Sequence, residues 1–304
     1  MIIVGAGLAG LLAAHAWPTA SIVEASPGPT LNHAALLRFR TDIVSRLVGI
    51  EFRKVRVHKG IWFDDRFNAP NIQLANLYSS KVLGTLMERS VWDIEPVDRW
   101  IAPESFYEEL IESVGKRVVW GEEFDWGGTV GTDVTTQSII STAPLPVLVK
   151  QFGFDPKGTL AFARAPIIVQ RFRLMRSDVF QTVYFPTVEH SMYRASITGN
   201  MLICEHTSDS HGDWYQDVLR AFAIKGHATE LGAVKQHYGK IAPIADSIRK
   251  NLLFHLTHQH NIYSLGRFAT WRNILLDDVV DDIAVVKRLL RSGNHYDVRR
   301  SVAS

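Results

Sequence analysis

The sequence predicts an α/β protein in which both ends of the chain build one parallel sheet and a strand-rich α+β unit is inserted between them. Three observations predict it. A Gly-rich turn joins an apolar strand to an Ala/Leu-rich helix within residues 2–17, a second strand–turn–helix occupies 261–291, and strand patterning dominates 160–207. The expected parallel-sheet domain is discontinuous (1–55, 115–150 and 255–292). The inserted domain takes 56–114 and 151–254, and 293–304 reads as a frayed polar tail.

Each element follows from its residues. Ile2-Ile3-Val4 is a short buried strand, Gly5 to Gly10 make a turn, and Leu8 to about Trp17 form a helix that Pro18 ends. Ala20–Glu24 is the second strand, and Ser26-Pro27-Gly28-Pro29 a loop. Mixed helical spacing of Leu31, Ala35, Leu36, Ile43, Val44 and Leu47 predicts helix before the chain extends around Lys54–His58. Ala102-Pro103-Glu104-Ser105 opens an amphipathic helix carrying Phe106, Leu110 and Ile111. Strands follow at Arg117–Trp120, Ile139–Thr142, Ile167–Phe172, Val179–Phe185, Tyr193–Ile197 and Met201–Glu205, the last two joined by a Gly199-Asn200 hairpin turn. Helices are expected near 213–225 and 229–237, a strand at Asn261–Leu265, a turn at Gly266-Arg267 and a long helix at Asp277–Arg291.

Composition narrows the class. The 304 residues are close to half apolar, enough for a sizeable core, and the net charge is only +2. Basic residues cluster nonetheless. Arg38, Arg40, Arg46, Arg53, Lys54, Arg56 and Lys59 fall within 38–59, and Arg164, Arg171, Arg173 and Arg176 within 164–176. Such runs suit phosphate or DNA contact as well as solvated faces. The single cysteine, Cys204, excludes an internal disulfide and reads as a strand residue. No apolar stretch is long enough for a membrane span, and the Gly-punctuated N-terminus lacks the basic leader of a signal peptide, so a cytoplasmic protein is expected. His255, His258 and His260 alternate without a zinc-type spacing or neighbouring carboxylates, and no metal is expected.

Gly5-Ala6-Gly7-Leu8-Ala9-Gly10 is a G-x-G-x-x-G turn set between strand and helix. Gly5 permits the tight turn, Gly7 lets a pyrophosphate touch the backbone, and Gly10 lets the helix pack on the strand. Amides of Leu8 and Ala9 at the helix start suit phosphate. Glu24, followed by Ala25, ends the second strand where a carboxylate accepts from ribose hydroxyls. It lies fourteen residues after Gly10, shorter than the usual ~20, which implies a short helix. The unit is Rossmann-like and binds a dinucleotide.

The C-terminal run Ile262-Tyr263-Ser264-Leu265-Gly266-Arg267-Phe268-Ala269-Thr270-Trp271, followed by Asp277-Asp278-Val279-Val280, resembles the closing motif of the amine-oxidase and UDP-galactopyranose-mutase group of flavoproteins. The resemblance implies FAD. It implies Gly266 and Arg267 along the cofactor, Asp277, Asp278 and Val279 at a helix start beside the flavin ring, and Trp271 next to it. Ala143, in Ser141-Thr142-Ala143-Pro144-Leu145, resembles the strand end these families place against FAD, and Phe124 the backbone partner of adenine. The Gly-Gly pair that larger amine oxidases carry after the ribose carboxylate is replaced by Gly28-Pro29-Thr30-Leu31-Asn32-His33. Leu37-Arg38-Phe39-Arg40, Phe52–Lys59 and Ile101-Ala102-Pro103-Glu104 are similar to short FAD-dependent oxidoreductases of bacteriophages, some associated with thymine hypermodification. That similarity implies an amino-acid-modified (glycyl-type) thymine base as substrate.

Flavin amine oxidation asks the protein mainly to orient the substrate and keep its amine neutral. Arg38 and Arg40, two apart on an extended stretch, suit a carboxylate or phosphate clamp beside the cofactor. His33, His58 and Lys59 suit proton tuning, and Tyr193 and Arg194 a pocket floor. Each also fits a surface or structural role. Three readings compete. The first is an FAD-dependent oxidoreductase or lyase acting at a C–N bond of a small amine or modified DNA base. The second is a UDP-galactopyranose-mutase-like isomerase, in which Arg171 and Arg173 hold a diphosphate. The third is a flavoprotein without catalysis.

Overall fold

A computed structural model describes residues 1–29, 37–88, 90–127, 137–155, 157–207, 211–226 and 228–300, with side chains to 292. Five strands, β1 (Ile2–Val4), β2 (Ser21–Glu24), β7 (Val118–Trp120), β8 (Ile139–Ser141) and β14 (Ile262–Ser264), form one sheet in the order β14-β8-β1-β2-β7. Every pairing in it is parallel. Strand side chains alternate between faces. Ile3 packs with α1 (Leu8–Ala16), α4 (Phe106–Val114) and α8 (Leu276–Arg300) on one side. Val4, Ile139 and Ile262 pack with α5 (Leu145–Gln151) and α7 (Asp246–His260) on the other. Helices on both faces explain why β1 is apolar throughout and why β8 is buried along its whole length, Ser141 included.

The remaining strands make a nine-stranded mixed sheet. Its path runs β13 (Thr229–Ile241), β9 (Arg164–Arg173), β12 (Met201–His206), β11 (Met192–Gly199), β10 (Val179–Tyr184), β4 (Arg53–Phe63), β6 (Val97–Ile101) and β3 (Arg38–Phe39), with β5 (Arg66–Asn68) paired to β4. α6 (Trp214–Ala221) covers one face over Phe172, Val183, Ala195 and Leu202. α3 (Ile72–Leu83) covers part of the other over Tyr184, Tyr193, Val169 and Ile203. That second face is the inner face. The expected β11–β12 hairpin is present and antiparallel.

The structure departs from the expected elements, or adds to them, at four places. Residues 229–237 are strand, not helix: Val234, Lys235, Gln236 and neighbours pair with β9, and tertiary pairing overrides local helical spacing. Residues 246–260 form a helix that the polar sequence hides, since it buries only Leu252 and Leu256. Between 37 and 48 the helix is confined to α2 (Ile43–Val48), with Arg38–Phe39 in the sheet; residues 30–36 lie outside the described chain. The expected frayed tail is instead helical as far as Arg300.

Candidate functional site

Three strand ends converge at one point of the parallel sheet. In the order β14-β8-β1-β2-β7 the chain leaves β1 for β2 on one side while β8 lies on the other, so the β1/β8 boundary is the switch point, where ligands of such sheets bind. Gly5 follows β1 with φ +98, and a Cβ there would lie 2.3 Å from Thr142 Oγ1, just past β8. Thr142 in turn donates from its amide and hydroxyl to Val4 O at 2.9 and 2.8 Å. A Cβ on Gly10 would stand 1.9 Å from Gly5 O, so α1 lies directly on the turn.

Gly7 differs from both. It caps α1 with φ −70 and ψ 175, an extended geometry open to any residue, and an added Cβ would meet no atom within 4 Å. Among the described residues the space over the helix start is open, and no side chain caps the helix. Bare amides and the positive helix end at that spot suit a phosphate. The Glu24 carboxylate accepts from Ala6 N at 2.6 Å and Ser26 N at 2.9 Å, which locks the loop after β2 onto the glycine turn. Ala25 beside it is exposed, and Leu8 and Ala9 are half-buried.

The C-terminal turn docks against the same loop. Gly266 has φ +93, and a Cβ on it would be 2.8 Å from the Ala9 Cβ. Leu265 N donates to Ser141 O at 2.8 Å and Leu145 N to Phe268 O at 2.9 Å, which fixes Ala143 between β8 and the turn. Arg267 reaches Asn273 Oδ1 at 3.0 Å and Gly239 O on β13 at 3.4 Å, bridging the two sheets. At the start of α8, Asp277 is 4% exposed and accepts from Arg40 N (3.2 Å), Thr41 N (3.1 Å) and the Thr41 hydroxyl (3.1 Å). Asp278 pairs with the Arg40 guanidinium and accepts from Leu275 N at 2.8 Å. Burial opposes the Asp278 carboxylate, yet the Leu275 amide and Arg40 bring it below its ordinary value. Val279 is buried in the core. Both acids thus hold the segment after β3 onto the helix start. Phe124 packs edge-on against Trp126 at 4.7 Å, beside a loop whose Gly121 and Glu122 amides bond the chain after β2.

The structure separates the other candidates. Arg38 spends its guanidinium on Thr182 Oγ1 (2.6 Å), Ile197 O (2.8 Å), Thr198 Oγ1 (2.9 Å) and Gln181 O (3.2 Å), a clamp fastening β3 to the inner face. Burial, then neighbouring Arg194, pushes its pKa down to about 9. Lys59 donates to Asp93 O at 3.0 Å. His58 is exposed on the opposite side of β4, because successive strand residues alternate. Tyr193 is 1% exposed, and its hydroxyl is pushed well above its ordinary value, chiefly by burial. Trp271 is also 1% exposed; its indole N–H donates to Ala242 O at 2.9 Å, and Phe162 and Tyr238 pack on its edges. It braces β13 against the closing turn. His33 lies outside the described residues, which contain no group of three or more His, Cys, Asp or Glu able to hold a metal.

Sequence reasoning missed Glu205. It is 2% exposed beneath a two-point bond to Arg194, Nε and Nη2 each at 2.6 Å. Burial works against its charge, and Arg194 restores it to below the ordinary carboxylate value. The signal was an acid inside Leu202-Ile203-Cys204-Glu205-His206, an otherwise buried strand. The basic run 38–59 is largely answered by acids from elsewhere. Arg53 meets Asp178 at 2.8 Å, and Lys54 and Arg56 share Asp98 at 3.2 and 3.0 Å. No helix among the described residues is long and apolar enough to cross a membrane.

No protein-family profile and no curated protein sequence matches this chain. Solved structures share its fold. Reduced UDP-galactopyranose mutase is 14% identical with a TM-score of 0.64, and 95% of each chain is covered. A structural-genomics protein from Pyrococcus furiosus is 10% identical with a TM-score of 0.54, over 95% of this chain and 97% of that one. The tryptophan 5-halogenase MibH is 11% identical with a TM-score of 0.52, over 96% of this chain and 65% of that one. At such identities the likeness is one of fold: a five-stranded parallel sheet joined to a large mixed sheet.

Proposed function

We propose that the chain is an FAD-dependent enzyme of the oxidoreductase type, with its cofactor at the β1/β8 switch point. The observation that carries this is the open backbone at Gly7, framed by turns at Gly5 and Gly266 that leave no room for a side chain. Amides of Gly7, Leu8 and Ala9 would hold the pyrophosphate, and Glu24, already anchoring the loop, the ribose. Gly266 would lie along the cofactor, and the start of α8 with Asp277 and Val279 beside the ring. When bound, FAD supplies two-electron chemistry by accepting a hydride at the flavin ring. The polypeptide's tasks are then to hold the substrate between the Gly266 turn and the inner face, and to exclude water there. Arg267 and Asp277 hold the two halves in register for that purpose.

For the substrate we propose an amine oxidised at its C–N bond, a modified DNA base included. Purified protein should be yellow, and an amine substrate should bleach it in the absence of air. A colourless protein whose melting temperature FAD does not raise would sink the cofactor reading. A flavin that no amine or glycyl-modified oligonucleotide reduces would sink the amine reading alone. The full-length fold likeness to UDP-galactopyranose mutase favours a second reading, an isomerase without net redox. That enzyme would turn over a UDP-sugar only with reduced flavin and consume no oxidant.

A further inference from the structure

The inner face carries a cation that no described residue answers. Arg171, within β9, makes no hydrogen bond, ion pair or ring contact among the described residues, and its Nε is buried without a partner. A half-buried guanidinium that lacks acceptors forfeits solvation it could have kept at the surface. Its neighbours fix where it stands. Val169 and Arg173 flank it two residues away on the same face, and Ile203 of β12 and Gly232 of β13 stand opposite. Beyond Ile203 the row continues through Ser196 to Thr182, where Arg38 is clamped. Gly232, at φ +108, has no atom within 4 Å of an added Cβ, so the ground beside Arg171 is open.

The other arginines on this face are engaged. Arg173 bonds Glu104 at 3.0 Å, Arg194 holds Glu205, and Arg38 is spent on hydroxyls and carbonyls. Glu205, a diagonal neighbour about 7–8 Å from Arg171 across the strands, is already neutralised. The surplus is visible in Arg38, whose proton affinity falls through burial and then through Arg194 and Arg99. One unanswered fork in a positive recess suits one oxyanion, because its parallel N–H groups match two oxygens of a carboxylate or phosphate.

We propose that Arg171 seats a single oxyanion, a carboxylate or a phosphate group, carried by the substrate of the flavin site. The word substrate rests on the reading above; the anion site does not. The test titrates FAD-loaded protein, whose phosphate cradle is filled, with inorganic phosphate in one arm and acetate in the other, following melting temperature and flavin absorbance. One anion should bind saturably, and Arg171→Gln should weaken it about tenfold or more. Arg171→Lys should fall between, keeping charge but losing the fork. Arg46→Gln, an equal charge loss on an exposed helix side chain, should change nothing. The proposal is overturned if neither anion binds the wild type, if Arg171→Gln binds as well as wild type, or if Arg46→Gln loses as much. Should the chain hold no FAD, the flavin reading fails by itself. The same comparison on the flavin-free protein then still decides the role of Arg171.

Discussion

Gly7→Ala should separate binding from folding. Its backbone at φ −70 and ψ 175 suits alanine, and the new methyl meets no atom within 4 Å. Alanine also restricts the unfolded chain more than glycine, which stabilises by about 0.4–1 kcal/mol where the geometry is compatible. Flavin-free variant should therefore melt at the wild-type temperature or slightly above. Binding is another matter. The methyl fills the ground where a pyrophosphate must approach, at about 1–3 kcal/mol for overpacking, and displaces charge-assisted amide bonds of about 1.5–3 kcal/mol. Together these predict FAD affinity lower by about 100-fold or more. Gly10→Ala is the contrast. Its Cβ would overlap Gly5 O at 1.9 Å, so the flavin-free protein itself should be damaged. Thermal melts with and without FAD, plus flavin retention on desalting, read both. The reasoning is refuted if Gly7→Ala keeps its flavin like wild type, or if it lowers the flavin-free melt as Gly10→Ala does.

His206 is wholly buried, bonded to Ser191 Oγ at 3.0 Å, and pushed down to about 4 by burial, then by His190, Lys81 and His211, with Glu205 opposing. The folded state refuses a proton that the unfolded chain accepts below its ordinary 6.5, so this contribution is complete above 6.5 and is lost as pH falls toward 4. At about 1.4 kcal/mol for each tenfold change in proton affinity, denaturant melts should show a loss of a few kcal/mol. His206→Gln should flatten that acid limb; an unchanged slope would count against it. Trp271→Phe should cost about 1–3 kcal/mol, because the smaller ring leaves a void where a 1% exposed indole packed and gives up its bond to Ala242 O, while the rate of flavin reduction by substrate stays within a few-fold; a large fall in that rate with an unshifted melt would place Trp271 in the chemistry.

The glycine turn, the strand ending at Glu24 and the closing Gly-Arg turn were legible as backbone geometry because each is local: a few residues whose identities state a conformation. Glu24, Gly5 and Gly266 occupy the places their neighbours in sequence imply. Partnerships were not legible. Arg38 and Arg40 look equivalent in Leu37-Arg38-Phe39-Arg40, yet one is consumed by β10 and β11 and the other by α8. The basic appearance of 53–59 depended on not seeing Asp98 and Asp178 arrive from distant segments. β13 was hidden because its pattern makes sense only once β9 lies alongside.

The strand order has a consequence for how the chain matures. β1 sits at the middle of its sheet, and its neighbour β8 is flanked in turn by β14, which lies some 260 residues after β1 in the chain. Contacts so remote in sequence close slowly. The glycine turn therefore waits, half-assembled, for the segment carrying Gly266 to arrive and press on Ala9. Until the Gly266 turn is in place the contact with Ala9 is missing, so the two strand–turn units at the switch point are finished together and late.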